Sequence, residues 1–150
     1  MVYYNKFTKQ GGSSTMGVKT YQESDKVQLS EHFNSYEFRC GLGRSCACTT
    51  VLIDDRLVEI LEQIREHFGQ PITITSAYRC ENYNRSIGGA TGSRHSKGQA
   101  ADIVVKGIAP KEVAKYAESI GVLGIGLYET AADGYFTHID TRDYKSFWYG

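Results

Sequence analysis

Apolar positions along the chain recur with two periods, and each stretch ends on residues that break it. Leu57, Ile60, Leu61, Ile64 and Phe68 fall at the spacing of one helical face. Asp54 stands where an N-cap is needed and Gly69 where a helix stops, so the pattern predicts a helix between them. Residues 72–76, I-T-I-T-S, alternate apolar with hydroxyl side chains and predict a strand. A short helix is expected over 81–87, ended by Gly88 and Gly89. Residues 101–105 predict a strand, with Ile103, Val104 and Val105 as its buried run. Pro110 suits a first helical position, and Val113, Ala114, Ala117 and Ile120 then form an inward stripe up to Gly121. Two strands follow, over 124–128 and 136–140. Helices and strands mixed in this order predict an α+β domain, a small antiparallel sheet with helices packed on one face. No segment repeats, which excludes a solenoid.

Length and composition change this picture little. The 150 residues suit one core, and the 17 Lys and Arg balance the 17 Asp and Glu. No basic stripe marks a nucleic-acid partner, and no apolar run approaches the ~20 residues that span a bilayer. The first residues lack the apolar core of a secretory signal, so no export signal is expected in this chain. Residues 1–28 are polar, and G-G-S-S-T at 11–15 reads as a linker. The expected division is therefore a tail or linker over 1–28 and a domain over 29–150, acting as a monomer.

The candidate chemistry sits in two places. Residues 93–102 read S-R-H-S-K-G-Q-A-A-D, and residues 136–140 read F-T-H-I-D. Imidazole and carboxylate are good ligands for a borderline cation such as zinc, and three protein ligands leave a tetrahedral position open. His95, Asp102 and His138 would form such an open site. Gly98 and the small pair Ala100 and Ala101 let the chain turn back so that His95 and Asp102 converge. An ion held this way lowers the pKa of bound water from about 15.7 to roughly 7 and polarises a carbonyl, which suits peptide hydrolysis.

The pattern S-x-H-x-x-G-x-A-x-D, met by Ser93, His95, Gly98, Ala100 and Asp102 and followed by a strand-borne H-x-D, resembles the zinc D-alanyl-D-alanine carboxypeptidase family. That family shares its fold with the VanX-type dipeptidases and the hedgehog signalling domain. The stretch 72–79 with Tyr83 and Asn84 is similar to it as well, and the similarity runs from about Leu29 to Trp148. The resemblance implies one zinc ion per chain held by His95, Asp102 and His138. It also implies that Arg79 lies beside the ion, where a guanidinium can fork onto a substrate carboxylate. The implied substrate is a peptidoglycan stem peptide cut at or next to D-alanine. An enzyme of this kind without an export signal is expected to be cytoplasmic or phage-released and to act on the bacterial cell wall.

One position departs from the family pattern. Many relatives carry an acidic general base three residues before the last histidine, where this chain has Tyr135. Asp133, in the loop before the strand, and Asp140, on the face of His138, are the candidates for that base, with Glu129 more distant. Asp140 is alternatively a partner that orients a histidine ligand. The missing acid keeps open a second class of function, a zinc-containing wall-peptide binding module without turnover. His32 and His67 read as structural or surface residues. Cys40, Cys46, Cys48 and Cys80 are open between disulfides, a second zinc and free thiols.

Overall fold

The computed structural model describes residues 16–43 and 46–150. It is an α+β domain with two sheets and three α-helices. Strand β1 (Val18–Gln22) pairs antiparallel with β2 (Thr50–Asp54), which runs directly into helix α1 (Asp55–Phe68). Strand β3 (Ile72–Ser76), helix α2 (Glu81–Ser86), strand β4 (Ala100–Val105) and helix α3 (Pro110–Ser119) follow. Strands β5 (Gly124–Tyr128), β6 (Phe136–Asp140) and β7 (Ser146–Tyr149) complete the chain. The large sheet has the order β3-β4-β6-β5-β7, antiparallel except that β7 runs parallel to β5.

The helices end where their cap residues predict. The Asp54 carboxylate accepts from the Arg56 amide and opens α1, and Gly69 closes it at φ 63°. Leu57, Leu61 and Ile64 of the predicted stripe are fully buried, while Ile60 and Phe68 flank the core partly covered. In α3, Val113, Ala114 and Ala117 are buried and Pro110 occupies the first turn. His67 stacks on Tyr116 with ring centroids 3.8 Å apart, at the contact of α1 with α3. His32 donates to the Glu62 carboxylate at 2.9 Å, so both of these histidines are structural.

Strand alternation separates the two faces of the large sheet. Ala101, Ile103, Val105, Ile125, Leu127 and Ile139 join the helices' apolar residues in one core. Burying the sixteen Val, Ile, Leu and Phe side chains of this core at about 1.5–3 kcal/mol each supplies the main drive for folding. The opposite face carries Asp102, His138 and Asp140, polar residues that are nonetheless buried.

Three strands lie where the hydrophobic pattern predicts none, β2 among them. Val18–Gln22, inside the stretch read as a polar tail, forms β1, with all its side chains exposed except that of Tyr21, which packs against the core. It has no apolar alternation because it is held chiefly by backbone pairing with β2, to which the Tyr21 contact and a Lys19–Asp55 ion pair add. Strand β7 is an edge strand in which exposed and half-buried residues alternate. The linker reading of residues 11–15 lies outside the described residues.

Candidate metal centre

The register of the large sheet sets one row of side chains across its polar face. Ser76 stands opposite Asp102, Asp102 opposite His138, His138 opposite Gly126, and Gly126 opposite Trp148. Glycine at 126 is required by the packing of this row. A Cβ there would lie 2.6 Å from the Trp148 indole, whose ring sits 4.9 Å from that of His138. The third element of the group is the 3-10 turn Arg94–Lys97, which carries His95 and is opened by the Ser93 hydroxyl accepting from the His95 amide at 3.2 Å and closed by Gly98 at φ 72°. Gly98 rests on β2, and a Cβ on it would meet the Leu52 backbone at 2.6 Å. Its carbonyl accepts from the Asp54 amide at 2.8 Å.

This frame brings His95, Asp102 and His138 together. One ligand atom from each lies within 4.8 Å of the others, and all three residues are buried. His138 Nδ1 is 2.9 Å and His95 Nε2 is 3.4 Å from Asp102 Oδ1. The far side of each ring is already occupied. His95 Nδ1 lies 2.7 Å from the Ala77 carbonyl, which can only accept, so Nδ1 carries a proton and Nε2 is the atom turned toward Asp102. His138 Nε2 lies 2.8 Å from Asp140 Oδ2. A backbone carbonyl and a carboxylate, as on these two rings, are the usual outer partners of metal-bound histidines. The donor set therefore fits a zinc ion.

Burial by itself would raise the Asp102 pKa, but the hydrogen bonds and charges of His138 and His95 outweigh it and hold the carboxyl well below the ordinary range. Burial would lower the His138 pKa, and Asp102 with Asp140 outweighs that, leaving it raised. For Asp140 the same balance of burial against His138 and Arg142 ends in a lowered pKa. Both acids are thus carboxylates in the folded protein.

The triad forms part of the wall of a cavity of about 500 Å3. Arg79, Arg94, Lys97 and Arg142 supply positive charge to its lining, and Tyr128, Phe136, Tyr144 and Trp148 supply rings. Arg79 lies beside the triad, reaching Asp102 Oδ2 at 3.3 Å and the Ser76 hydroxyl at 2.9 Å. Arg142 forks onto Asp140 at 2.7 Å through both Nε and a terminal nitrogen, and its guanidinium lies over Trp148 and Tyr144.

The acids considered as a base lie elsewhere. Asp133, in the turn before β6, accepts from the Thr130 hydroxyl, and neither it nor Glu129 lines the cavity. Asp140 is 1 % exposed behind His138, with its oxygens taken by His138 and Arg142. This is the place of an orienting partner. Tyr135 is exposed at φ 51° and also lies outside the lining. Among the described residues, Asp102 is the one carboxylate in the cavity. Sequence reasoning passed over Arg142, Arg94, Tyr128, Tyr144 and Trp148. The two-residue step from Asp140 to Arg142 is the one local signal among these, since it continues the H-x-D alternation beyond the strand.

A model of the peptidase M15 family matches residues 31–140, most of the chain. The chain belongs to the peptidase M15 family. This bears out the resemblance carried by the two histidine motifs, and peptidases of the M15 family are zinc-dependent. Over 96 residues, 59% of this chain, it is 36% identical to proteins named peptidoglycan L,D-endopeptidase MepK from Escherichia coli strain K12 and from Shigella flexneri. The match covers 51% of those proteins, so this M15 chain spans about half the length of the curated relatives it matches.

Proposed function

We propose that this chain is a zinc metallopeptidase that hydrolyses peptidoglycan stem peptides at or next to D-alanine. The observation that carries the reading is a His-Asp-His triad set in a cavity whose remaining charges are all cationic. Bound there, zinc would polarise the scissile carbonyl and lower the pKa of water. His95, Asp102 and His138 would hold it through Nε2, a carboxylate oxygen and Nδ1.

The chain's own residues account for orientation and charge. Ala77 and Asp140 fix the two rings, so the ligand nitrogens face one point without rotating. Arg79 neutralises the Asp102 oxygen turned away from the histidines. Arg94 and Lys97 stand at the cavity wall and suit a substrate rich in carboxylates, as stem peptides are. Tyr128, Tyr144 and Trp148 offer flat surfaces to its backbone and short side chains, and Trp148 covers His138 from one side.

Two cuts fit such a cavity. A D-alanyl-D-alanine carboxypeptidase removes the terminal residue and uses a cation to bind its free carboxylate. The endopeptidase named among the relatives supports an internal cut instead. Digestion of a synthetic stem pentapeptide alongside a cross-linked muropeptide, with products weighed by mass spectrometry, separates them. Free D-alanine from the pentapeptide identifies the carboxypeptidase, and scission of the cross-linked substrate alone identifies the endopeptidase. Zinc-loaded protein that binds the muropeptide and leaves both substrates intact would favour the wall-binding module and overturn the peptidase.

A further inference from the structure

A second group of metal-ligating side chains lies outside the cavity. Cys40 sits at the start of a 3-10 turn, Cys46 and Cys48 lie just ahead of β2, and Cys80 caps α2. These come from three separate stretches of chain, yet their sulfurs all lie within 4.8 Å of one another. All four are free thiols, Cys40 buried and the others half-buried. Two backbone amides point at the sulfurs, that of Cys80 at Cys40 Sγ (3.2 Å) and that of Tyr83 at Cys80 Sγ (3.4 Å). The Tyr83 ring closes over Gly41, which turns at φ 58° and where a Cβ would come within 3.1 Å of the ring.

The spacing decides what such a group can hold. A tetrahedral ion with metal–sulfur bonds of about 2.3 Å sets its four sulfurs roughly 3.8 Å apart, close to the 3.5 Å between Cys46 and Cys80 Sγ and wider than the 2.8 Å between Cys46 and Cys48 Sγ, all four lying within 4.8 Å. An iron–sulfur cluster distributes its cysteines over more than one iron and needs a wider set. Four soft donors with no open position select zinc in a closed, structural role.

We propose that Cys40, Cys46, Cys48 and Cys80 bind a structural zinc ion, separate from the ion of the histidine triad. Each thiol gives its proton to solvent as its sulfur binds. The chain then carries two ions, where the histidine motifs alone imply one. The ion clasps Cys40 and the stretch from Cys46 to Cys48 to the corner between β3 and α2. That corner holds Arg79, next in sequence to Cys80, whose guanidinium reaches Ser76, Asn84 and Asp102. Its backbone is tied on both sides, Tyr78 N to the Phe38 carbonyl at 3.1 Å and Arg79 N to the His95 carbonyl at 3.2 Å. The clasp is thereby a positioning element for Arg79.

Zinc content of the full chain, purified under reducing conditions and weighed by native mass spectrometry, tests the site. About two ions per chain are expected for the wild type and about one for a His95→Ala, His138→Ala double variant, which separates this site from the cavity. Cobalt loaded into the double variant should give sulfur-to-metal charge-transfer bands that Cys46→Ser and Cys48→Ser abolish. A mercurial reagent on wild-type protein should release that ion as the thiols react, a readout that needs no variant to fold. A double variant free of metal, thiols paired as disulfides, or thiol modification that releases no zinc would each overturn the proposal.

Discussion

His138 is the residue on which the site turns, because each of its nitrogens faces a carboxylate. Asp102 and Asp140 both favour its protonated form, and zinc bound there would displace a proton from Nδ1. Metals bind the neutral imidazole, and a raised pKa keeps the proton on up to a higher pH. Zinc affinity should therefore weaken as pH falls through a point above the ordinary histidine value of about 6.5. Chelator competition across a pH series checks this, and a weakening confined to pH well below that value would count against it. Asp140→Asn keeps the shape but removes the charge that orients the ring. A 10- to 100-fold loss of zinc affinity is expected, roughly the cost of deleting such a partner. The same competition assay reads it, and an unchanged affinity would remove Asp140 from the metal centre.

At the scale of elements, the zinc loop and β2 depend on each other. Gly98 carries the loop round at φ 72° with its carbonyl on the Asp54 amide and no room for a Cβ over Leu52. Gly98→Ala should cost about 1–3 kcal/mol in urea unfolding and weaken zinc binding with it. Full stability and affinity in that variant would show that the loop does not rest on β2. The helices and four central strands were legible in the sequence because each writes its burial as a period and ends on a cap: Asp54 and Gly69 for α1, Pro110 for α3. Strand β1 was not, since V-K-T-Y-Q is held by backbone pairing and buries little. Strand β2 was hidden in T-V-L-I-D, where Val51 and Ile53 alternate correctly but the run merges into α1 without a turn. The convergence of His95 and Asp102 was legible in Gly98 and the small pair that turn the chain back, and His138 in the resemblance of its H-x-D motif. Trp148 and Arg142 were not, because their place beside His138 depends on a parallel edge pairing that no local pattern encodes. Cys40, Cys46, Cys48 and Cys80 meet only through the tertiary fold, and their spacing along the chain leaves the meeting invisible.

On the scale of the whole molecule, the sheet divides labour between its faces, one packed on α1 and α3 and the other carrying the site. The net charge is zero, yet Arg79, Arg94, Lys97 and Arg142 gather at the cavity, so any attraction for an anion there is local. The segment leading to the cysteines is fastened to α1 by Glu62, a buried carboxylate that accepts from the Ser30 hydroxyl and the His32 amide, each at 2.6 Å, and from the His32 ring at 2.9 Å. Burial would raise its pKa, and those hydrogen bonds outweigh burial and lower it. A carboxyl with a lowered folded pKa stabilises the protein above its unfolded value of about 4.3 and loses that contribution as pH falls through the folded one. Urea midpoints taken between neutral and about pH 3 should fall more steeply for the wild type than for Glu62→Gln. Parallel curves would show that Glu62 does not carry acid stability.

The central claim is that the His-Asp-His triad cuts stem peptide with a metal. The most direct measurement is hydrolysis of a cross-linked muropeptide and a stem pentapeptide by one preparation, as purified, after chelation and after zinc is restored, beside His95→Ala. Cleavage that stops on chelation, returns with zinc and is absent in His95→Ala is the predicted result. Cleavage that persists in the chelated protein and in the variant, or zinc-bound wild type that cuts neither substrate, would contradict it.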